Sequence, residues 1–377
     1  MNALRVAVDA TPLLGERTGV GAFVAGALGA LASDATLQLS AYALSLRGRA
    51  SLAAALPAGV RALDRPMPAG PLLRTWARVD APPAEWWTGP VDVVHGTNFC
   101  VPPARTAREI VTVHDLTPLR YPELASGATR IFPALVRRAL GRGAHVHTPS
   151  AFVAAEVVEL LGADPDRVHR VHHGVPAGPT VGRGAATAGH GAAGPVDGPY
   201  VLALGRVEPR KDLPGLVAAF DAVAGSFPGL RLVVAGPDGW GVAAFDAALG
   251  RASCAASVIR LGYVDHRRAA GLLRGAAVLA FPSLYEGFGL PPLEAMAAGV
   301  PVVATTAGAL PEVLGDAALL VAPRDTSALA GALSLVLGDE GVRAGLVARG
   351  RAQAARYSWE RCAAGLTALY RQAVEVR

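Results

Sequence analysis

The chain has 377 residues, 52% of them hydrophobic and 17% charged, a globular composition on a length that predicts two domains instead of one core. No apolar run reaches the length of a membrane span, and Cys100, Cys254 and Cys362 are too scattered for a disulfide framework or a zinc site, which fits a cytoplasmic protein. The net charge of +5 permits an anionic partner; without a recognition motif beside it, nucleic acid is a poorer choice than a nucleotide diphosphate, an acidic lipid surface or an anionic acceptor.

The N-terminal MNALRVAVDATPLL reads as a first core strand, Leu4 to Asp9, and not as a signal peptide. TPLLGERTGVGAF then leads into an Ala-rich helix expected to reach about Ala32, where Gly19 and Gly21 let the backbone approach a ligand at the helix N-terminus. A dinucleotide fingerprint needs a further glycine where Val24 stands and an acidic residue after the second strand. LQLSAYAL ends instead in Ser45 and Arg47, which argues against a nicotinamide site. Pro71 to Gly89 gathers Trp76, Trp86 and Trp87 with Arg74 and Arg78; core aromatics anchoring a loop are favoured there over a membrane or acceptor contact.

VDVVHGTNFCVPP reads as a strand with a polar loop, and EIVTVHDLTPLRYPE as another strand, ending at His114-Asp115. Functional loops of doubly wound sheets lie at strand carboxyl ends, so His114 is a candidate functional group. Asp115 is placed to hold its tautomer or to contact ligand, and His95 is a lesser candidate for lining the same cleft. Thr129 to Gly143 reads as a helix with a solvated basic face, followed by a strand and a helix capped by Ser150. Asp164-Pro165-Asp166 imitates an Asp-x-Asp metal motif but falls in a helix-to-strand turn, and His169, His172 and His173 lack carboxylate or Cys partners nearby, so no metal site is expected. Pro176 to Pro199 has no periodicity and the composition of a linker.

A second αβ series follows: YVLALG, a helix from about Pro214 to Ala224, LRLVVAG, a helix at Gly241 to Arg251, SVIRLGYV, a helix at His266 to Arg274, and AVLAF. Such alternation indicates a parallel, doubly wound sheet. In GRVEPRKDL, Arg206 and Lys211 are spaced to reach one anion from a strand-to-helix loop, with Glu208 orienting them or touching the ligand. Paired cations suit a leaving diphosphate, whose negative charge grows in the transition state. In FPSLYEGFGLPPLEAMAAGVPVVATTAGALPE, Pro291 and Pro292 open a helix, Glu294 falls in its first turn and Gly299-Val300-Pro301 closes it. The loop before it offers Glu286 and the backbone N–H groups of Phe288, Gly289 and Leu290 beside a helix end that favours anions. An ordinary αβ unit with a solvated Glu286 and a capping Glu294 accounts for these residues equally well.

EGFGLPPLEAMAAGVPVVA resembles the Glu-x7-Glu signature of retaining glycosyltransferases with the GT-B fold, in particular glycosyltransferase family 4. The glycine loop, the His-Asp pair, the Gly-Arg…Lys segment and the terminal RYSWERCAAGLTALYRQAVEVR extend the resemblance over most of the chain. It implies an α/β protein of two Rossmann-like doubly wound parallel-sheet domains facing a cleft. The acceptor-side domain would span 1–175, with helix 357–377 packing back on it, and a linker over 176–199 would lead to a nucleotide-sugar domain over 200–356. By the same resemblance His114 lies close to the transferred sugar, with Gly19 and Gly21 facing the transfer centre. Glu286 contacts donor-sugar hydroxyls, Glu294 the ribose, Arg206 and Lys211 the diphosphate, and Gly262, Tyr263 and Val264 of LGYVDH the base. The implied reaction moves a hexose from a nucleotide-diphosphate sugar to a hydroxyl of a glycan, lipid or small metabolite, with retention and without a metal or other cofactor. Peripheral contact with the inner membrane surface stays open. HGTN, TVHDLTPLRYPE and GRVEPRKDL most resemble the mannosyltransferase-like branch, which makes GDP-mannose the first choice of donor beside UDP- and dTDP-sugars. A GT-B sugar-nucleotide isomerase and a non-catalytic sugar-nucleotide-binding protein are the alternatives.

Overall fold

The computed structural model describes residues 3–16, 18–176 and 196–375. Its contacts divide into two units, Met1–Gly174 with Trp359–Arg377, and Val175–Ser358. Most of the linker read over 176–199, residues 177–195, lies outside the described residues.

The first unit is built on strands β1 (Leu4–Asp9), β2 (Leu37–Tyr42), β3 (Arg61–Ala62), β4 (Val93–Gly96), β5 (Arg108–Thr112), β6 (His145–Thr148) and β7 (Val168–Arg170). They form a seven-stranded parallel sheet in the order β3-β2-β1-β4-β5-β6-β7. Helical layers bury both faces, so the interior of β1, Val6-Ala7-Val8, is apolar without alternation. Val6 and Val8 enter one core with Leu28 and Leu366, while Ala7 enters the other with Val94 and Val146. Strand order reverses between β1 and β4, and ligands of doubly wound sheets bind outside the carboxyl ends at such a point. The β5 strand stops at Thr112, so His114 sits in the loop just beyond it.

Helix Trp359–Glu375 belongs to this unit and packs on helix Gly19–Leu31, burying Leu366, Leu369, Tyr370 and Ala373. Each large apolar side chain buried this way contributes roughly 1.5–3 kcal/mol. The seat is cut for it: a Cβ added at Gly26 would lie 2.2 Å from the Trp359 ring.

The second unit contains β8 (Tyr200–Leu204), β9 (Arg231–Ala235), β10 (Val258–Gly262), β11 (Val278–Phe281), β12 (Val302–Thr305) and β13 (Leu319–Val321). The order is β10-β9-β8-β11-β12-β13, again parallel, with the reversal between β8 and β11. Helices start where the sequence supplies acceptors for orphan N–H groups. Asp212 accepts from Gly215 N, Asp265 from Arg268 N, Asp325 from Ala328 N and Asp339 from Val342 N. Among the described residues no helix is long and apolar enough to cross a membrane.

Candidate active site

In the second unit the loops after β8 and β11 are stitched together, because Leu284 N donates to Arg210 O over 2.8 Å. This brings the charged residues of GRVEPRKDL against Glu286. Lys211 Nζ lies 2.6 Å from Glu286 Oε1, and Arg210 Nη1 lies 2.8 Å from the same oxygen. Arg210 also donates through Nη1 to Tyr285 O at 2.9 Å and through Nη2 to Glu208 Oε1 at 2.6 Å. Lys211 rests on the Phe281 ring, 4.4 Å from its centre, a contact that favours a cation.

Glu286 is 7% exposed. Burial pushes its carboxyl up, but the Arg210 charge and then Lys211 outweigh that and bring it down to about 2, so it is a carboxylate at neutral pH. Burial moves Lys211 below the ordinary lysine range, with Glu286 opposing the shift. The Glu286 backbone is fixed from the other side: its carbonyl accepts from Ala309 N over 2.8 Å. Gly308 passes so close, at φ 59°, that a Cβ there would lie 2.2 Å from that carbonyl oxygen. Beside this cluster, at the switch between β8 and β11, lies a small open recess lined by Gly205, Lys211, Phe281, Pro282 and Ser283.

Helix Leu290–Ala298 begins one residue before the prolines, with Gly289 at φ 105° as its N-terminal flank and no side-chain cap. Pro291 and Pro292 carry no N–H, so the backbone donors of this end come from Phe288, Gly289 and Leu290. Glu294 therefore stands beyond the first turn, contrary to the sequence reading, and burial pushes its carboxyl up to about 7. The Glu208 carboxylate is tied to Arg210, a residue the sequence reading left out. Arg206 donates to Asp238 O at 3.0 Å, on the β9 side of the loop. At the end of β10, Gly262 accepts from Gly236 N over 2.8 Å, followed by an exposed Tyr263 and a buried Val264.

In the first unit His114 is buried and its Nε2 lies 2.8 Å from Thr97 O. A carbonyl only accepts, so Nε2 carries the proton and Nδ1 the lone pair. Burial keeps the ring below its ordinary pKa and hence neutral. The tautomer is thus set by Thr97; Asp115 instead accepts from Thr117 N at 2.9 Å. His95 does not line a cleft. It is 1% exposed and belongs to an interior chain of hydrogen bonds from Tyr370 through Thr112 to His147 and Val171 O. The terminal carbonyl fixes every proton in that chain, which makes the Tyr370 hydroxyl the donor to His95 Nδ1.

Helix Gly19–Leu31 starts at Gly19, which faces open space, while Gly21 is buried. Asp9 closes β1 buried, accepting from the Thr11 N–H and hydroxyl, and burial pushes its carboxyl up to about 6. Sequence reasoning passed over it because a strand-ending Asp two residues before Thr is an ordinary turn pattern. Trp76 is buried, whereas Trp86 is 59% exposed. Asp164 and Asp166 lie in a turn, with Asp166 N donating to Asp164, and His169 pairs with His145. No group of three or more His, Cys, Asp or Glu suited to a metal occurs among the described residues.

Residues 19–178 match the model of Glycosyltransferase Family 4 and residues 198–339 that of Glycosyl transferases group 1. O-antigen chain mannosyltransferase B of Escherichia coli is 32% identical over 284 residues, covering 72% of this chain and 71% of that protein. The chain belongs to glycosyltransferase family 4. This family 4 glycosyltransferase is also 32% identical, over 311 residues, to D-inositol 3-phosphate glycosyltransferase of Acidothermus cellulolyticus, covering 78% of its own length and 66% of the relative's. Its parallel-sheet α/β units are those of the GT-B fold. Sucrose-phosphate synthase from Thermosynechococcus elongatus matches with a TM-score of 0.73 at 21% identity, over 99% of this chain and 100% of that one.

Proposed function

We propose that this glycosyltransferase moves a hexose from a nucleotide-diphosphate sugar to a hydroxyl of a glycan, lipid or small metabolite, with retention and without a metal. The Val175–Ser358 unit is assigned the donor and the Met1–Gly174 unit the acceptor. The observation that carries the reading is the Lys211–Glu286–Arg210 cluster at the strand-order switch of the second sheet. Departure of a nucleoside diphosphate builds negative charge, and Lys211 and Arg206, fixed on a strand-to-helix loop, favour that state over the ground state. Together with the backbone donors at Phe288, Gly289 and Leu290, they supply the neutralisation that a metal supplies elsewhere.

Glu286, held ionised, accepts hydrogen bonds from donor-sugar hydroxyls, and Glu294 accepts them from the ribose. Gly262, Tyr263 and Val264 receive the base. His114 presents an unprotonated Nδ1, an acceptor for a hydroxyl of the transferred sugar that also stays uncharged beside a developing oxocarbenium ion. Similarity to a mannosyltransferase makes mannose from GDP-mannose the first choice. A panel of GDP-, UDP- and dTDP-sugars, offered with and without lipid and glycan acceptors, tests this, with the product's anomeric configuration read by NMR. Transfer from one nucleotide sugar with retention is expected. Inversion overturns the retaining assignment, interconversion of the donor without acceptor favours an isomerase, and binding of donor without any turnover favours a silent binding protein.

A further inference from the structure

We infer that Arg210 is a positioning residue, which keeps Glu286 ionised and in place when Lys211 turns from it to the donor diphosphate. This rests on the donor reading above. Glu286 Oε1 is served by both cations, Lys211 at 2.6 Å and Arg210 at 2.8 Å, but they are held very differently. Lys211 is a point charge on a flexible stem, and a diphosphate is a stronger attractor than one carboxylate. Arg210 is a planar fork pinned on Glu208 Oε1, Glu286 Oε1 and Tyr285 O, and its own carbonyl is bonded by Leu284 N. Its guanidinium keeps its charge at any working pH.

The charged groups that face Glu286 are Lys211 and Arg210, with Glu208 behind the arginine, all from the loop after β8. The loop after β12 meets it with Gly308 and Ala309, which carry no charge. Once Lys211 engages phosphate, a buried carboxylate without Arg210 would have no counter-ion, and such a group neutralises by taking up a proton. Protonated, Glu286 loses acceptor capacity for sugar hydroxyls. Glu208 completes the device by aiming the fork.

The test is the pH dependence of kcat at saturating donor, which reads ionisations of the donor complex, for Arg210→Gln and Arg210→Lys, each expressed as a ratio to the unmodified enzyme from pH 5 to 8.5. Dividing by the unmodified enzyme removes the titrations of other groups that both share. For Arg210→Gln the ratio is expected to be lower at pH 5.5 than at pH 8, falling up to about tenfold for each pH unit below the raised Glu286 value. For Arg210→Lys, which keeps a charge but cannot span both carboxylates, the drop is expected to be smaller. A ratio that is the same at every pH shows a merely structural arginine and overturns the inference. Should Arg210→Gln fail to fold, Arg210→Met, of similar length and equally uncharged, takes its place: a pH-dependent ratio supports the assignment and a flat one refutes it. An unmodified enzyme that neither binds nor cleaves any sugar nucleotide would instead remove the donor reading, an outcome visible before any variant is made.

Discussion

Glu294→Gln is expected to make the protein more stable and a poorer nucleotide binder at once. Burial holds the Glu294 carboxyl at about 7 in the folded state, against an ordinary value of 4.5. A carboxyl raised on folding favours the folded state below the unfolded value, and that contribution is lost as pH rises through the folded one. Above pH 7 the chain therefore carries a strained carboxylate, whose cost comes to about 1–3 kcal/mol once partial access to water is allowed for. Glutamine keeps the shape and removes the charge. At pH 8 the variant should melt roughly 2–10 °C higher in a unit of this size, while at pH 5, just above the unfolded value, the folded carboxyl is protonated and the shift should be much smaller. Nucleoside diphosphate affinity should move the other way. Hydrogen bonds to a charged acceptor are worth about 1.5–3 kcal/mol, so affinity should fall about 10- to 100-fold. Differential scanning calorimetry at pH 5, 6.5 and 8, with and without nucleotide, reads both effects. A melting shift of equal size at pH 5 and pH 8, or none at either, refutes the reasoning.

Lys211→Ala should lower kcat for donor cleavage by roughly a hundredfold, the range for a removed charge-stabilising donor, with a smaller effect on KM; steady-state kinetics decide, and a pure KM effect would place Lys211 in ground-state binding. Tyr370→Phe removes the hydroxyl that donates to His95 Nδ1 and leaves a buried acceptor unpaired, at a cost of about 1–3 kcal/mol by denaturant unfolding; no loss would mean that the proton order derived for that chain is wrong. Gly26→Ala gains about 0.5–1 kcal/mol of helix propensity, but its methyl meets the Trp359 ring. Overpacking costs about 1–3 kcal/mol, so a net destabilisation is expected, and a melting temperature above that of the unmodified protein would refute it.

The alternation of apolar strands with helices was legible because both sheets are parallel and covered on each face, so several strands carry a run of consecutive apolar residues, such as Val6-Ala7-Val8 in the first sheet and Val302-Val303-Ala304 in the second. Glu286 and Lys211 were legible from their loops, but not their contact, since they lie 75 positions apart in the chain. Which of Arg206, Arg210 and Lys211 meets Glu286 depends on the 3-10 turn Pro209–Lys211, which turns Arg210 and Lys211 toward β11. Local charge patterning carries no such direction. His95 was misplaced for a related reason. In a strand buried on both faces, period-two alternation does not tell a side chain aimed at a cleft from one aimed at the core. Its partner Tyr370 comes from the far end of the chain, 275 positions away. Glu294 slipped out of the first turn because the helix opens at Leu290, one residue ahead of the prolines taken as its start.

Calorimetric titration of the full chain with GDP, UDP and dTDP and their sugars tests the central claim most directly, beside the Glu294→Ala and Lys211→Ala variants. One nucleoside diphosphate series is expected to bind, with affinity reduced at least about tenfold by Glu294→Ala and less by Lys211→Ala, whose larger defect lies in donor cleavage. Failure of every sugar nucleotide to bind, or equal binding to all three proteins, would contradict a donor site built from the loops after β8 and β11.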